Sequence, residues 1–138
     1  MTVNDGMPEW VASRAARILN REGKAMRGSK ALVLGVAYKQ DIDDYRESPA
    51  IRVIEELEKV GANVTYFDPW VREYKEHGQC RQSLPELTEE VVAGADLVMI
   101  TASHTNVDYD FVQKHAKLVF DTKNAAKNVA NRSNIEVL

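Results

Sequence analysis

Residues 31–36, Ala-Leu-Val-Leu-Gly-Val, form a short and nearly continuous apolar run. A strand with one wet face alternates apolar and polar side chains. A run that does not alternate belongs to a strand buried on both faces, as inside parallel sheets. Residues 37–47 are polar and charged, and too rich in aspartate for a strand. Ser48-Pro49 then opens a helix: Ser accepts hydrogen bonds from the first free amides, and Pro lacks an N–H that would be unpaired there anyway. Val53, Ile54, Leu57 and Val60 set an apolar stripe at helical spacing, and Gly61 stops it. Val64 to Phe67 makes a second strand, closed by Asp68-Pro69. The unit is β-loop-α-β, with a long loop at the carboxyl end of its first strand. In open parallel sheets, ligands bind at that edge.

On the amino-terminal side, Met7 to Glu22 predicts a helix started by Asp5 or Gly6, with Pro8 near its first turn. Trp10, Val11, Ala15, Ile18 and Leu19 make its apolar face, and Arg14, Arg17, Arg21 and Glu22 its wet one. Gly23 to Ser29 reads as a linker. Residues 1–28 are therefore expected to be a leading helix and linker from a preceding domain, and residues 29–138 the domain proper. From Trp70 to Ser83 the pattern loses its rhythm and no element is assigned. Leu84 to Leu87 precede a short helix through Val91, Val92 and Ala95, and Leu97 to Thr101 is a third strand. Asn106 or Asp108 caps a helix carrying Tyr109, Phe111, Val112 and Ala116. Leu118 to Phe120 is a fourth strand, and Ile135 to Leu138 an edge strand. Strands alternating with helices require right-handed crossovers. They predict an α/β, Rossmann-like doubly wound, mostly parallel sheet with helices on both faces.

The size of 138 residues suits one domain with its own core. A net charge of -3 argues against a nucleic-acid binder that works by general phosphate attraction, and leaves room for a small anion held by a few placed cations. The one cysteine, Cys80, allows no internal disulfide and fits a reducing compartment. No apolar run approaches the ~18 residues of a membrane span, and the first residues lack a secretion signal. The expected setting is cytoplasmic, without a nucleic-acid or membrane partner.

A dinucleotide fingerprint needs G-x-G-x-x-G at the first strand-helix turn, so that backbone amides touch a pyrophosphate. Here Gly35 is followed by Val-Ala-Tyr-Lys, with no second or third glycine. Asp68 stands where an acidic residue would take a ribose; without the glycines it reads as a turn former before Pro69. The fold is borrowed without standard NAD binding. In the loop after strand one, Lys39 can point at an anion, Tyr38 can stack on a planar ring, and Arg46 offers a fork of donors near a helix start. Equally, Asp43, Asp44 and Glu47 can pair with Lys39 and Arg46 to fold the loop. Lys123 follows strand four on the same edge, where it can flank one anionic group with Lys39 or simply be solvated. His104, also on this edge, reads as a loop hydrogen-bonder. Cys80 has no strand-to-helix elbow around it and reads as inert. His77, Cys80 and His104 lack zinc-ligand spacing, so no metal site is expected. A receiver-domain reading of Asp43-Asp44, Asp68, Thr101 and Lys123 fails on position: the acidic pair lies well past strand one, and Asp68 ends strand two, not strand three.

Residues 34–49, Leu-Gly-Val-Ala-Tyr-Lys-Gln-Asp-Ile-Asp-Asp-Tyr-Arg-Glu-Ser-Pro, closely resemble the "LGxAYK…DxRESP" signature of the UDP-glucose/GDP-mannose dehydrogenase family. Tyr66-Phe-Asp-Pro, Met7-Pro8 and Asp121-Thr-Lys-Asn stand at matching places, so the likeness covers nearly the whole chain. It is to the family's C-terminal, nucleotide-sugar-binding domain, and most to bacterial dehydrogenases acting on UDP-N-acetyl-hexosamines. The resemblance implies an NAD-dependent enzyme that oxidises a sugar C6 alcohol to a carboxylate. It also implies that the NAD-binding domain and the catalytic residues lie outside this chain, which alone would be inactive. By position, Tyr38, Lys39 and Lys123 would contact a UDP-sugar, Lys123 replacing a residue that is usually arginine, and Asp44 and Arg46 would shape the loop. The full-length enzyme would be a homo-oligomer. The alternative is a stand-alone nucleotide-binding Rossmann-like module without a catalytic role.

Overall fold

The computed structural model describes residues 3–36, 49–76, 79–102, 104, 107–123, 125–127, 129–131 and 133–137. In chain order the elements are α1 (Val3–Arg21), β1 (Lys30–Leu34), α2 (Pro49–Lys59), β2 (Asn63–Phe67), β3 (Glu73–Glu76), β4 (Gln79–Gln82), α3 (Glu89–Gly94), β5 (Leu97–Ile100), α4 (Tyr109–His115), β6 (Val119–Asp121) and β7 (Ile135–Val137). Five of these strands form one sheet in the order β2-β1-β5-β6-β7, and every neighbouring pair is parallel. Every strand expected from sequence is present, and the expected edge strand, β7, lies at the edge.

The apolar run of β1 is buried as a two-faced strand must be. Ala31 and Val33 face a core shared with Val11, Ala15, Ile18 and Leu19 of α1 and Ile51, Ile54 and Leu57 of α2. Leu32 and Leu34 face the opposite core, with Val92 of α3 and Val112 of α4. β5 divides the same way, Leu97 and Met99 to the first core, Val98 and Ile100 to the second. The period of two thus builds a three-layer α/β/α stack. Burying Val11, Ile18 and Leu19 contributes roughly 5–9 kcal/mol gross. The half-exposed Arg14–Glu136 pair contributes at most about 1 kcal/mol. Apolar burial, not the ion pair, docks α1 on the sheet.

Each helix stops or starts on a recognisable contact. Thr88 caps α3 by accepting from the Val91 amide, and Asp108, one of two expected caps, accepts from the Phe111 amide at the start of α4. After α2, the Gly61 amide donates to the Glu58 carbonyl and the Ala62 amide to that of Leu57, the pairing of a Schellman end. Ser48, expected to cap α2, lies outside the described residues. No described helix is long and apolar enough to cross a membrane.

Three sequence expectations need correction. α1 begins at Val3, ahead of the expected start at Met7, so Asp5 and Gly6 lie within the helix. Trp10 and Val60, assigned to apolar faces, are exposed. Trp10 instead stacks beside Arg14, whose guanidinium lies 5.8 Å from the ring centroid. The unassigned stretch after Asp68 holds an antiparallel hairpin, β3 paired with β4. Tyr74 anchors it, buried with its ring 5.4 Å from that of Tyr66, and Arg81 ties it to Glu58 of α2.

The tip of β1 is set by a close backbone approach. Gly35 has φ +93°, and a Cβ there would lie 2.5 Å from the Ala102 Cβ and 2.9 Å from its amide nitrogen. Gly35→Ala should therefore lower the unfolding free energy by about 3 kcal/mol, combining left-handed strain with overpacking. Gly23→Ala, at φ +76° with open space around its Cβ, should cost only about 1 kcal/mol. Urea denaturation of both variants, with unchanged m values, checks the difference.

Candidate functional site

The chain leaves β1 toward β2 on one side, then crosses to β5, β6 and β7 on the other. The strand order therefore reverses between β1 and β5. At such a switch point the loops of an open α/β sheet run to opposite sides, and its carboxyl edge is where sheets of this kind hold ligands.

On this edge β2, β5 and β6 each end in a short oxygen-bearing side chain turned back onto backbone. At the end of β2, Asp68 is fully buried. Its Oδ1 accepts from the amides of Trp70 at 2.7 Å and Val71 at 3.1 Å. Its Oδ2 accepts from the Val36 amide at 2.8 Å and meets Nε2 of buried His104 at 2.9 Å. Beyond β5, the Thr101 hydroxyl donates to the carbonyls of Gly35 at 2.5 Å and Leu34 at 3.2 Å. At the end of β6, Asp121 accepts from the amides of Lys123 and Ala125, both at 3.0 Å, and of Ala126 at 2.8 Å. Thr122 donates from its hydroxyl to the Ile100 carbonyl at 2.7 Å.

Burial opposes ionisation of Asp68, but the hydrogen bonds from His104, Val36 and Trp70 outweigh it and hold the carboxyl below its ordinary value. An ionised carboxylate only accepts, so the hydrogen-bond network assigns the shared proton to His104 Nε2. Tyr66, next to this carboxylate, has its hydroxyl pushed upward by burial first and then by Tyr74 and Asp68.

Of the expected site residues, Tyr38, Lys39, Asp44 and Arg46 lie outside the described residues, as do Asp43 and Glu47. Lys123 is described: it is exposed on the carboxyl edge just past β6, one strand removed from β1 across β5. Asp68 does form the expected turn, through Trp70 and Val71, and His104 makes the expected hydrogen bond. What sequence reasoning missed is that these two residues bond to each other. A usable signal was present: Asp68, Thr101 and Asp121 each follow directly on an apolar strand run. Asp68 is also too enclosed to serve as an exposed phosphoacceptor. Cys80 is exposed on β4. Among the described residues, no group of three His, Cys, Asp or Glu side chains is placed to hold a metal ion.

The described residues do not fit a dinucleotide held in the standard way. Gly35 spends its missing Cβ on contact with Ala102, and the carboxylate that would take a ribose is turned inward onto His104 and backbone amides.

Residues 32–128 match the model of the UDP-glucose/GDP-mannose dehydrogenase family, UDP binding domain. The chain is 32% identical over 130 residues to a UDP-N-acetyl-D-mannosamine dehydrogenase of Methanococcus maripaludis, covering 88% of this chain and 28% of the relative. Among solved structures, it superposes on an NDP-N-acetyl-D-galactosaminuronic acid dehydrogenase from Methanosarcina mazei with TM-score 0.80 and 29% identity, over 99% of this chain and 30% of the other. A UDP-D-ManNAc dehydrogenase from Pyrococcus horikoshii gives TM-score 0.77 and 27% identity, over 96% and 31%. The chain thus spans less than a third of the length of these relatives.

Asp68→Asn should destabilise the fold by about 3 kcal/mol at pH 7, because the new amide faces the Val36 and His104 donors. The folded carboxyl titrates below its ordinary value of 3.8, so its contribution is complete above that value and is lost as pH falls through the folded one. The difference in unfolding free energy between wild type and variant should stay level from about pH 8 to about pH 5 and shrink below about pH 4. Denaturant titrations across that range measure it.

Proposed function

The chain belongs to the UDP-glucose/GDP-mannose dehydrogenase family, as its C-terminal, UDP-binding domain, and from this premise we propose that it is the substrate-holding part of an NAD-dependent UDP-sugar 6-dehydrogenase. The whole enzyme, a cytoplasmic homo-oligomer, converts the sugar C6 alcohol to a carboxylate with NAD as the oxidant. This chain contributes binding and orientation: it holds the nucleotide and aims C6 at the reaction centre. The dinucleotide is held elsewhere in the full-length enzyme, and the 138-residue chain alone does not turn over.

The observation that carries this proposal is the family match, which runs unbroken from β1 through the switch point to the segment after β6. Tyr38 stacks on the base or sugar ring, Lys39 and Lys123 meet the diphosphate, and Asp44 and Arg46 shape the loop between them. Supporting the pairing of the lysines, β6 lies next but one to β1. Strands two places apart are separated by roughly 10 Å, within reach of two long lysine side chains converging on one diphosphate.

Titration of the chain with UDP-N-acetylglucosamine, followed by amide chemical shifts, tests the proposal. Saturable shifts are expected at residues 36–47 and 121–124, with a dissociation constant on the order of 1 mM because part of the site is elsewhere. Lys123→Ala should weaken binding roughly tenfold, and Lys123→Arg should retain it. Shifts confined to other surfaces, or none that saturate, would overturn the assignment.

A further inference from the structure

We infer that the buried Asp68–His104 pair is a positioning device for nucleotide-sugar binding: it straps the exit of β1 in place, so affinity depends on a histidine that need not touch the ligand. The ligand class rests on the function proposed above.

Asp68 follows β2 and His104 follows β5, and these strands lie on opposite sides of β1. Their 2.9 Å hydrogen bond therefore passes over the carboxyl end of β1. The same Oδ2 accepts from the Val36 amide, the first backbone donor past Gly35, at 2.8 Å. One oxygen thus sets both the spacing of the two flanking segments and the direction in which the chain leaves the central strand. The carboxylate is itself fixed by the Trp70 and Val71 amides on Oδ1. The histidine segment is fixed from its other side. The Tyr109 hydroxyl of α4 lies 3.3 Å from the Ala102 carbonyl and 3.2 Å from that of His104.

Below the strap, the Gly35–Ala102 contact admits no Cβ, and the Thr101 hydroxyl holds the Leu34 and Gly35 carbonyls. The tips of β1 and β5 are thus tied directly to each other. A fully buried acid and imidazole are a poor choice for stability alone, since an apolar pair of similar volume serves a core as well or better. What an apolar pair lacks is direction. A hydrogen bond across the end of β1 sets one geometry for the carboxyl edge, and a site 1 Å loose binds poorly.

The test uses His104→Leu, which removes the donor, and His104→Gln, whose amide nitrogen can occupy the place of Nε2. Affinity for UDP-N-acetylglucosamine is measured by calorimetry well below each melting temperature, and amide exchange at Val36 without ligand. His104→Leu should weaken binding roughly fivefold and speed exchange at Val36 about tenfold relative to Val98 and Met99 of β5. His104→Gln should restore both to within about twofold. Unchanged affinity and unchanged relative exchange in a folded His104→Leu, with only its melting temperature lowered, would overturn the inference. If His104→Leu does not fold, His104→Asn, whose shorter amide falls short of Asp68, replaces it under the same criteria. If the wild-type chain binds no UDP-sugar, the proposed function fails first. Exchange at Val36 then decides the strap separately: faster exchange rescued by Gln supports it, and unchanged exchange removes it.

Discussion

β1 is hydrogen-bonded along both sides, to β2 and β5, and packed on both faces. A strand enclosed in this way keeps only its two ends available. Everything else in the molecule is arranged around that constraint. The two cores cover its faces, the neighbouring strands satisfy its amides and carbonyls, and chemistry is left to the turns above and below it.

The two ends are treated differently. At the amino end, Asp96 accepts from the Lys30 amide at 2.9 Å and from the Lys24 ammonium at 3.0 Å, with Lys117 at 3.9 Å. The Lys30 amide first, then Lys24, hold the Asp96 carboxyl below its ordinary value. That end is a half-exposed charge cluster whose pairs are screened by water and contribute modestly. At the carboxyl end the acids are buried, and their partners are amides and an imidazole instead of ammonium groups. Burial makes the same hydrogen bonds stronger, and makes their loss costlier. The end of the sheet held by buried hydrogen bonds is therefore the carboxyl edge, the end at which open α/β sheets hold ligands.

Much of this was legible in the sequence, for a physical reason that also marks where legibility stops. The unbroken run around Leu32 and Val33, the 3.6-period stripe of Ile54 and Leu57, and the cap at Asp108 are local signals, and each produced the element it announces. The hairpin was illegible because its residues are mostly polar on both faces. Its hold is tertiary, through Tyr74 on Tyr66 and Arg81 on Glu58. Trp10 misleads because residue type suggests core, whereas a large ring at the border of a helix face can lie against an arginine and stay wet. The Asp68–His104 bond joins residues 36 positions apart, and no periodicity encodes it. Only the polar residue at each strand tip hinted that the carboxyl edge was organised by side chains.

That organisation also decides what kind of anion site this edge can offer. In a glycine-rich dinucleotide site, amides at the strand tip stay free to face a pyrophosphate. Here the amides of Val36, Trp70, Val71, Lys123, Ala125 and Ala126 are each already accepted by Asp68 or Asp121. A negatively charged phosphate approaching those amides would have to displace a carboxylate that is covalently tethered and already desolvated. Tethering raises the effective concentration of the internal acceptor well above that of any free ligand. At these positions an incoming diphosphate must then be met by side-chain cations, which agrees with lysines carrying the proposed contact. At these positions the parallel sheet offers a phosphate no free amides, because its strand tips end in acids that consume the backbone donors.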